Sequence, residues 1–230
     1  KILVTGGAGF IGSHIVDGLI EDGHEVVVLD NLYSGSKENL EGRFSSPDFE
    51  FVEGDLRSEE DVEKAVEGTD AVFHEAAITS VPLSVENPEL TEAVNVEGTL
   101  NLLEKSADEG VERLVFASSC AVYGTPEELP LSESSPTSPE SPYAESKLEA
   151  EEACRKFNEE GDLETVIFRY FNVYGPRQGS GDYAAVIPKF IERVKADKPP
   201  VVYGDGEQTR DFIHVSDVAR ANRLAMERDD

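Results

Sequence analysis

Apolar positions along the chain follow two rhythms. Short apolar runs at Ile2–Thr5, Glu25–Leu29, Phe49–Val52, Ala71–Phe73, Leu114–Ala117 and Thr165–Arg169 read as buried strands. Between them, spacings of three and four predict helices at Ile11–Glu21, Glu59–Val66, Val94–Ala107 and from about Tyr143 to Asn158. Strand and helix in alternation argue for a parallel sheet with helices on both faces. Right-handed crossovers then make a doubly wound α/β sheet the expected architecture. Beyond residue 175 the alternation breaks. A helix at Tyr183–Lys195, a strand at Pro199–Tyr203, a turn at Asp205–Thr209 and a helix at Val215–Glu227 predict a small second lobe over residues 176–230, some elements of which could return to the first unit. The loop from Thr125 to Pro142 carries Pro126, Pro130, Pro136 and Pro139 and is long enough to be functional.

Composition narrows the partners. The 230 residues include 20 basic and 48 acidic side chains, a formal net charge of −28. Nucleic acid and anionic membranes both demand clustered Lys and Arg, so neither is expected. The acidic residues are spread along the chain, which predicts a hydrated, self-repelling surface suited to a high-salt cytoplasm. No apolar run approaches the roughly 20 residues of a membrane span. Lys1 opens directly into Ile2-Leu3-Val4, which does not read as a secretory leader. Cys120 and Cys154 make no disulfide or metal pattern, and His14, His24, His74 and His214 lack metal-site spacing, so no metal is expected. A reducing cytoplasm suits this cysteine usage.

The first strand runs into Thr5-Gly6-Gly7-Ala8-Gly9-Phe10-Ile11-Gly12 at the mouth of the first helix. Glycines at 6, 9 and 12 let backbone approach a diphosphate at a helix N-terminus. Asp30 follows Gly12 by 18 residues, at the end of the second strand. A carboxylate there accepts hydrogen bonds from ribose hydroxyls and repels a 2′-phosphate, which favours NAD over NADP. Asp55 and Leu56, after the third strand, suit adenine contacts; a turn Asp with a core Leu is the plainer alternative.

Tyr143 and Lys147 stand one turn apart on one face of a predicted helix, behind Ser141 as N-cap and Pro142 at the first helical position. Ser118 and Ser119 leave a predicted strand at the carboxyl edge of the sheet, where such folds bind ligands. With TGGAGFIG at 5–12, DNLYSG at 30–35, FHEAA at 73–77, SSCAVYG at 118–124, YAESK at 143–147, RYFNVYGPRQ at 169–178 and GDGEQTRDFIHVSDVA at 204–219, the sequence resembles the extended short-chain dehydrogenase/reductase family, in its nucleotide-sugar epimerase and dehydratase branch.

The resemblance implies a Rossmann-type doubly wound parallel sheet with a small, incomplete C-terminal substrate lobe, because family members usually continue past a segment like Val215–Asp230. It implies Tyr143 as general base, Lys147 as the cation that lowers the tyrosine's pKa and binds the nicotinamide ribose, and Ser119 as hydrogen-bond partner of the reacting sugar oxygen. Phe10 and Ile11 would lie at the diphosphate of NAD. Asn31, Leu32, Tyr33, Ser34 and Gly35 would extend the adenosine site. Ala76, Ala77, Ile78 and Thr79 would line the cofactor, with Asn95 and Phe171 as further contacts. Ser80, Asn172, Val186, Tyr203 and Arg210 match substrate positions, together with Ser119 and Tyr143. Arg210 is the one expected to grip the diphosphate.

The pair after Ser119 separates the branches. In related 4,6-dehydratases both positions are acidic, and decarboxylating relatives usually keep a Glu at the second. Cys120 and Ala121 can do neither job. C4 epimerisation of a UDP-hexose, its N-acetyl form or a uronate, through a transient 4-keto intermediate, is therefore the leading expectation. A nucleotide-sugar oxidoreductase or dehydratase of the same family, or a non-catalytic NAD-binding sensor, are the alternatives. The family also implies a homodimer through a four-helix bundle built from Val94–Ala107 and Tyr143–Asn158. Leu100, Leu103, Leu148 and Phe157 are expected to face the sheet, leaving Val96, Leu102, Ala150 and Ala153 for the partner.

Overall fold

The computed structural model describes residues 1–179 and 185–227. Six strands, β1 (Ile2–Thr5), β2 (Val26–Asp30), β3 (Phe49–Glu53), β4 (Ala71–His74), β5 (Arg113–Ser119) and β6 (Glu164–Tyr170), form one parallel sheet in the order β3-β2-β1-β4-β5-β6. This is the doubly wound α/β sheet that the alternation predicts. Thr5 at the end of β1 lies beside Leu29 on one side and His74 on the other. The strand order reverses there, so a ligand crevice opens over the ends of β1 and β4.

Helices α1 (Phe10–Glu21), α2 (Glu59–Val66), α3 (Val81–Glu86), α4 (Pro88–Glu92), α5 (Gly98–Glu109) and α6 (Pro142–Glu160) follow the strands. Successive strand residues feed opposite faces, as the period of two requires. Val4, Val28 and Phe73 pack with Ile15, Val16 and Leu19 of α1. Leu3, Leu29, Leu114 and Phe116 pack with Val62, Leu102, Leu103 and Ala150 on the other side.

The helix expected from Val94 starts earlier. α4 passes through a π-helical turn, Ala93–Glu97, into α5, which stops at Gly110 in a left-handed conformation (φ +82°). α3 had no counterpart among the expected elements. The expected helix faces also need correction. Val96, Leu102 and Ala150, assigned to a partner, are buried in the core, whereas Leu100 is exposed. The inward stripe of α5 is Thr99, Leu102, Leu103 and Ser106, and its polar ends disguise it in the sequence. Leu103 faces inward and Phe157 packs partly buried against the same core, as expected; Ala153 does so as well.

β7 (Asn172–Tyr174) pairs in parallel with β8 (Phe212–His214) as a separate two-stranded sheet. The strand expected at Pro199–Tyr203 does not form, and Val201, Val202 and Tyr203 are exposed. Strand geometry needs a backbone partner, and the segment that meets β7 is β8 instead; Asn172 fastens the pair by donating backbone N–H and Nδ2 to the Asp211 carbonyl at 3.1 and 2.9 Å. α7 spans Val186–Lys195; the expected start at residues 183 and 184 lies outside the described residues. α8 (Val215–Glu227) returns to the large sheet, burying Val215, Val218 and Ala219, and Arg223 donates to the Gly18 carbonyl of α1 at 3.2 Å. Among the described residues no helix is long and apolar enough to cross a membrane.

Candidate active site

The glycine turn closes tightly over the sheet. Gly6 has φ +68°, and a Cβ there would sit 2.7 Å from the Ala76 nitrogen. A Cβ on Gly12 would collide with the Gly6 carbonyl. Gly9 is the N-cap of α1 and offers no side-chain cap, and the first turn holds no acidic residue. The free N–H groups of that turn, including those of Phe10 and Ile11, form a ready anion site.

Asp30 is buried at the tip of β2. Its carboxylate accepts from the Ala8 N–H at 2.9 Å and the Leu32 N–H at 2.8 Å, which oppose the upward push of burial on its pKa. Asp55 is already engaged: Arg57 grips it with two bonds of 2.8 and 2.7 Å, and Asn31 adds a third at 2.9 Å. The Arg57 contact holds the Asp55 carboxyl far below the ordinary range. Leu56 belongs to the core, in line with the plainer of its two readings. Tyr33 and Ser34 are exposed, whereas Gly35 lies tight against the Ala8 backbone.

The end of β4 is built on buried polar side chains. Thr99 Oγ1 donates to the Asn95 carbonyl at 2.6 Å, so it accepts from His74 Nε2 at 2.8 Å. His74 Nδ1 then accepts from Thr5 Oγ1 at 2.7 Å. Burial first, then the Lys147 charge, pushes the His74 pKa down to about 3, so its ring stays neutral. Asn95, expected to touch the cofactor, is hydrogen-bonded within the protein. It accepts from the Ile78 N–H at 2.8 Å and donates to the Ile78 carbonyl and Ser146 Oγ, both at 3.0 Å. Its place inside the π-helical turn is what aims it at the 76–79 segment, in which Thr79 is exposed.

Ser141 caps α6 by accepting from the Ala144 N–H at 3.2 Å, Pro142 takes the first helical position, and Ser84 accepts the Tyr143 N–H at 3.1 Å. Tyr143 and Lys147 both face inward and are buried. The Ser119 hydroxyl accepts the Ala121 N–H at 3.1 Å, and its side chain opposes the rise that burial gives the Tyr143 pKa. Lys147 Nζ donates to the Ala117 carbonyl at 2.7 Å and lies 4.8 Å from the centre of the Phe116 ring. Its pKa falls to about 8 through burial, opposed by Glu75, Cys154 and Glu151. The expected lowering of the Tyr143 pKa by Lys147 is not what the fold produces. Burial pushes it up; Ser119 opposes this, while Cys120 and Glu75 add to it.

The expected substrate positions are less assembled. Ser80 caps α3 through the Leu83 N–H at 3.2 Å. Phe171 is half-buried, and Asn172 is held to Asp211. Val186, Tyr203 and Arg210 are exposed, and Arg210 Nη1 donates to the Thr209 carbonyl at 2.7 Å. Burial raises the Cys120 thiol's pKa, with small opposing contributions from the charges of Arg210 and Asp211.

A family model described as the NAD dependent epimerase/dehydratase family matches residues 2–230. The chain belongs to that family. It is 42% identical over 223 residues to the UDP-glucose 4-epimerase of Mycolicibacterium smegmatis, across 96% of this chain and 71% of that one. A UDP-N-acetylglucosamine 4-epimerase from Methanobrevibacter ruminantium, solved with UDP-N-acetylmuramic acid, superposes with a TM-score of 0.96 at 45% identity, covering 100% of this chain and 74% of that one. A UDP-glucose 4-epimerase from Thermus thermophilus, solved with NAD, gives a TM-score of 0.88 at 45% identity, covering 97% and 73%.

Membership makes NAD the cofactor, and the residues fit it. The uncapped start of α1 suits a diphosphate and the Asp30 carboxylate suits ribose hydroxyls. The structure also gives partners to acidic residues that the sequence reading left without a role. Glu151 is fully buried; it accepts from Ser118 at 2.5 Å, from Arg169 at 2.8 and 2.7 Å, and from Arg155 at 2.5 Å. Glu75 accepts from the Tyr170 hydroxyl at 2.8 Å. For Glu75 the signal in the sequence is an acidic residue between the apolar strand and the small Ala76-Ala77 pair.

Proposed function

We propose that the chain is the catalytic unit of an NAD-dependent epimerase that inverts C4 of a UDP-sugar through a transient 4-keto intermediate. The observation that carries this reading is the trio Ser119, Tyr143 and Lys147 at the carboxyl edge of the sheet, followed by side chains at Cys120 and Ala121 that have no carboxylate to eliminate water or assist decarboxylation.

NAD supplies a reversible hydride acceptor. The glycine turn holds its diphosphate, Asp30 its adenosine ribose and Lys147 its nicotinamide ribose. Tyr143 removes the proton from the C4 hydroxyl and returns it after the sugar has presented its other face. Ser119 donates a hydrogen bond to the same oxygen. Only the phenolate of Tyr143 can take that proton, and burial disfavours it. The positive charge of Lys147 favours the phenolate when the proton moves. Division at residue 175/176 places cofactor and catalytic residues in the first unit and Val186, Tyr203 and Arg210 in the substrate lobe, with α8 returning to the first unit. A homodimer through the α4–α5 and α6 helices is part of the same reading, supported by the exposed apolar side chain of Leu100 on α5.

NMR of the products from a panel of UDP-sugars tests the reading. C4 epimers with no net NADH release are expected. Stoichiometric NADH accumulation points to an oxidoreductase, and NAD binding without any turnover to a sensor.

A further inference from the structure

The backbone N–H groups that open α6 have no partners one turn back, so other groups must accept them. Pro142, at the first helical position, has none to offer. The Ala144 N–H goes to the Ser141 side chain at 3.2 Å and the Glu145 N–H to the Ser141 carbonyl at 2.9 Å. The N–H of Tyr143 goes outside the helix, to Ser84 Oγ on α3 at 3.1 Å.

α3 buries Ser84 completely and leaves Val81 and Val85 exposed, so the buried group that seats this helix is a hydroxyl and not an apolar side chain. Ser84 Oγ donates to the Val81 carbonyl at 2.8 Å, which directs a lone pair to Tyr143. Ser80 fixes the start of α3: its side chain accepts the Leu83 N–H at 3.2 Å and its carbonyl the Ser84 N–H at 2.9 Å. Ser80 directly follows Ala76–Thr79, the segment expected to line the cofactor. The carbonyl of Tyr143 is tied to that segment by a second route. It accepts from Ser146 Oγ at 2.9 Å, Ser146 Oγ accepts from Asn95 Nδ2 at 3.0 Å, and Asn95 holds Ile78.

We propose that Ser84 is a positioning residue: its hydroxyl, as acceptor of the Tyr143 N–H, sets the pose of the tyrosine relative to the cofactor-lining segment that leads into α3. The proposal rests on the epimerase reading only for the use made of the Tyr143 hydroxyl.

A buried N–H without an acceptor is costly, and the first turn of a helix escapes that cost by shifting or fraying. Tyr143 stands on that turn and would move with it. Its two companions are held elsewhere, Ser119 by the Ala121 N–H and Lys147 by the Ala117 carbonyl. Loss of the Ser84 hydroxyl therefore displaces the tyrosine alone within the trio. Turnover depends steeply on the placement of a reacting group, whereas the glycine turn and Asp30, which hold the cofactor, are untouched.

The test reads the Tyr143 amide directly. In protein carrying isotope-labelled tyrosine, the backbone amide resonance lost in Tyr143→Phe is followed without substrate. Ser84→Ala is expected to shift that resonance upfield, to speed its hydrogen exchange and to lower kcat by about 10-fold, with KM and the NAD dissociation constant unchanged. Ser84→Thr keeps the hydroxyl and its bond to the Val81 carbonyl, and is expected to restore the resonance and most of the turnover. Should Ser84→Ala fail to fold, Ser84→Cys takes its place, because a thiol accepts weakly. An unmoved Tyr143 amide overturns the proposal, and so does a moved amide with kcat intact. Equal losses of turnover in Ser84→Ala and Ser84→Thr also overturn it, since packing and not the hydroxyl then matters. Normal epimerisation with an unmoved amide removes this proposal and keeps the epimerase reading. If wild type turns over no UDP-sugar, the epimerase reading falls, and the amide alone decides whether Ser84 holds Tyr143.

Discussion

Arg169 of β6 holds Glu151 of α6 with two parallel bonds of 2.8 and 2.7 Å, and the same guanidinium lies 4.7 Å from the centre of the Tyr123 ring. Burial alone would raise the Glu151 pKa, but Arg169, Ser118 and Arg155 together hold it below the ordinary carboxylate value of 4.5. The pair locks the catalytic helix against β6, and Ser118 ties Glu151 to the end of β5. Glu151→Ala is therefore expected to destabilise the fold by about 3–5 kcal/mol, since it leaves a buried cation without its partner. A group with a lowered folded pKa stabilises above its unfolded value and loses that contribution as pH falls through the folded value. Urea unfolding should show wild-type stability dropping below pH 4.5, with a weaker acid dependence in the variant. An equal slope in both proteins would contradict the assignment.

Tyr143→Phe is expected to bind NAD nearly as wild type does and to lose about 10²–10⁴-fold in turnover, the usual loss for a positioned general base. Calorimetry with NAD and product analysis with a UDP-sugar check the two halves separately. Near-normal turnover would mean that another group takes the proton.

Asp30 should make the protein prefer NAD to NADP. Dissociation constants for the two, measured side by side, should differ strongly in wild type. Asp30→Ala should narrow the gap as it loses a charge-assisted bond worth roughly 1.5–3 kcal/mol. Equal affinities in wild type would remove Asp30 from the ribose site.

His74 gives a second pH dependence. Its folded pKa, about 3, lies below the ordinary 6.5, so the unfolded chain takes up the proton first as pH falls. The stability that a neutral His74 permits is present above pH 6.5 and is lost progressively towards about pH 3. His74→Gln should flatten the stability profile over that range. The measurement is again a pH series of unfolding curves, and an unchanged slope would count against the buried neutral ring.

Salt should matter to assembly. Burial, reinforced by the charges of Glu149 and Glu97, raises the Glu92 carboxyl on the proposed dimer face. With a net charge of −28, the subunits should repel at low salt and associate as the Debye length shrinks to about 3 Å near 1 M. Sedimentation across a KCl series should show a dimer that tightens with salt, and melting should rise in parallel. A monomer at every concentration, or a dimer weakened by salt, would refute the assembly.

Local pattern carried much of this protein. The apolar runs of β1 to β6 and the glycines at 6, 9 and 12 depend on neighbours in the chain, and so do Asp30 at a strand end and the Tyr143–Lys147 spacing, because strand period, helix period and turn sterics are short-range properties. The pairing of β7 with β8, the inward stripe of α5 and the return of α8 were decided only in three dimensions. A strand three residues long needs a partner to exist, and Phe212–His214 won over Pro199–Tyr203 because its backbone meets Asn172–Tyr174. The same holds for the charges. Glu75, Glu151, Asn222 and Arg169 look like ordinary polar positions in the sequence, and only the fold pairs Glu151 with Arg169 and links Asn222 through Tyr170 to Glu75. Desolvation depends on everything packed around a group, so tertiary contact, and not sequence spacing, set the ionisation of Tyr143 and its neighbours.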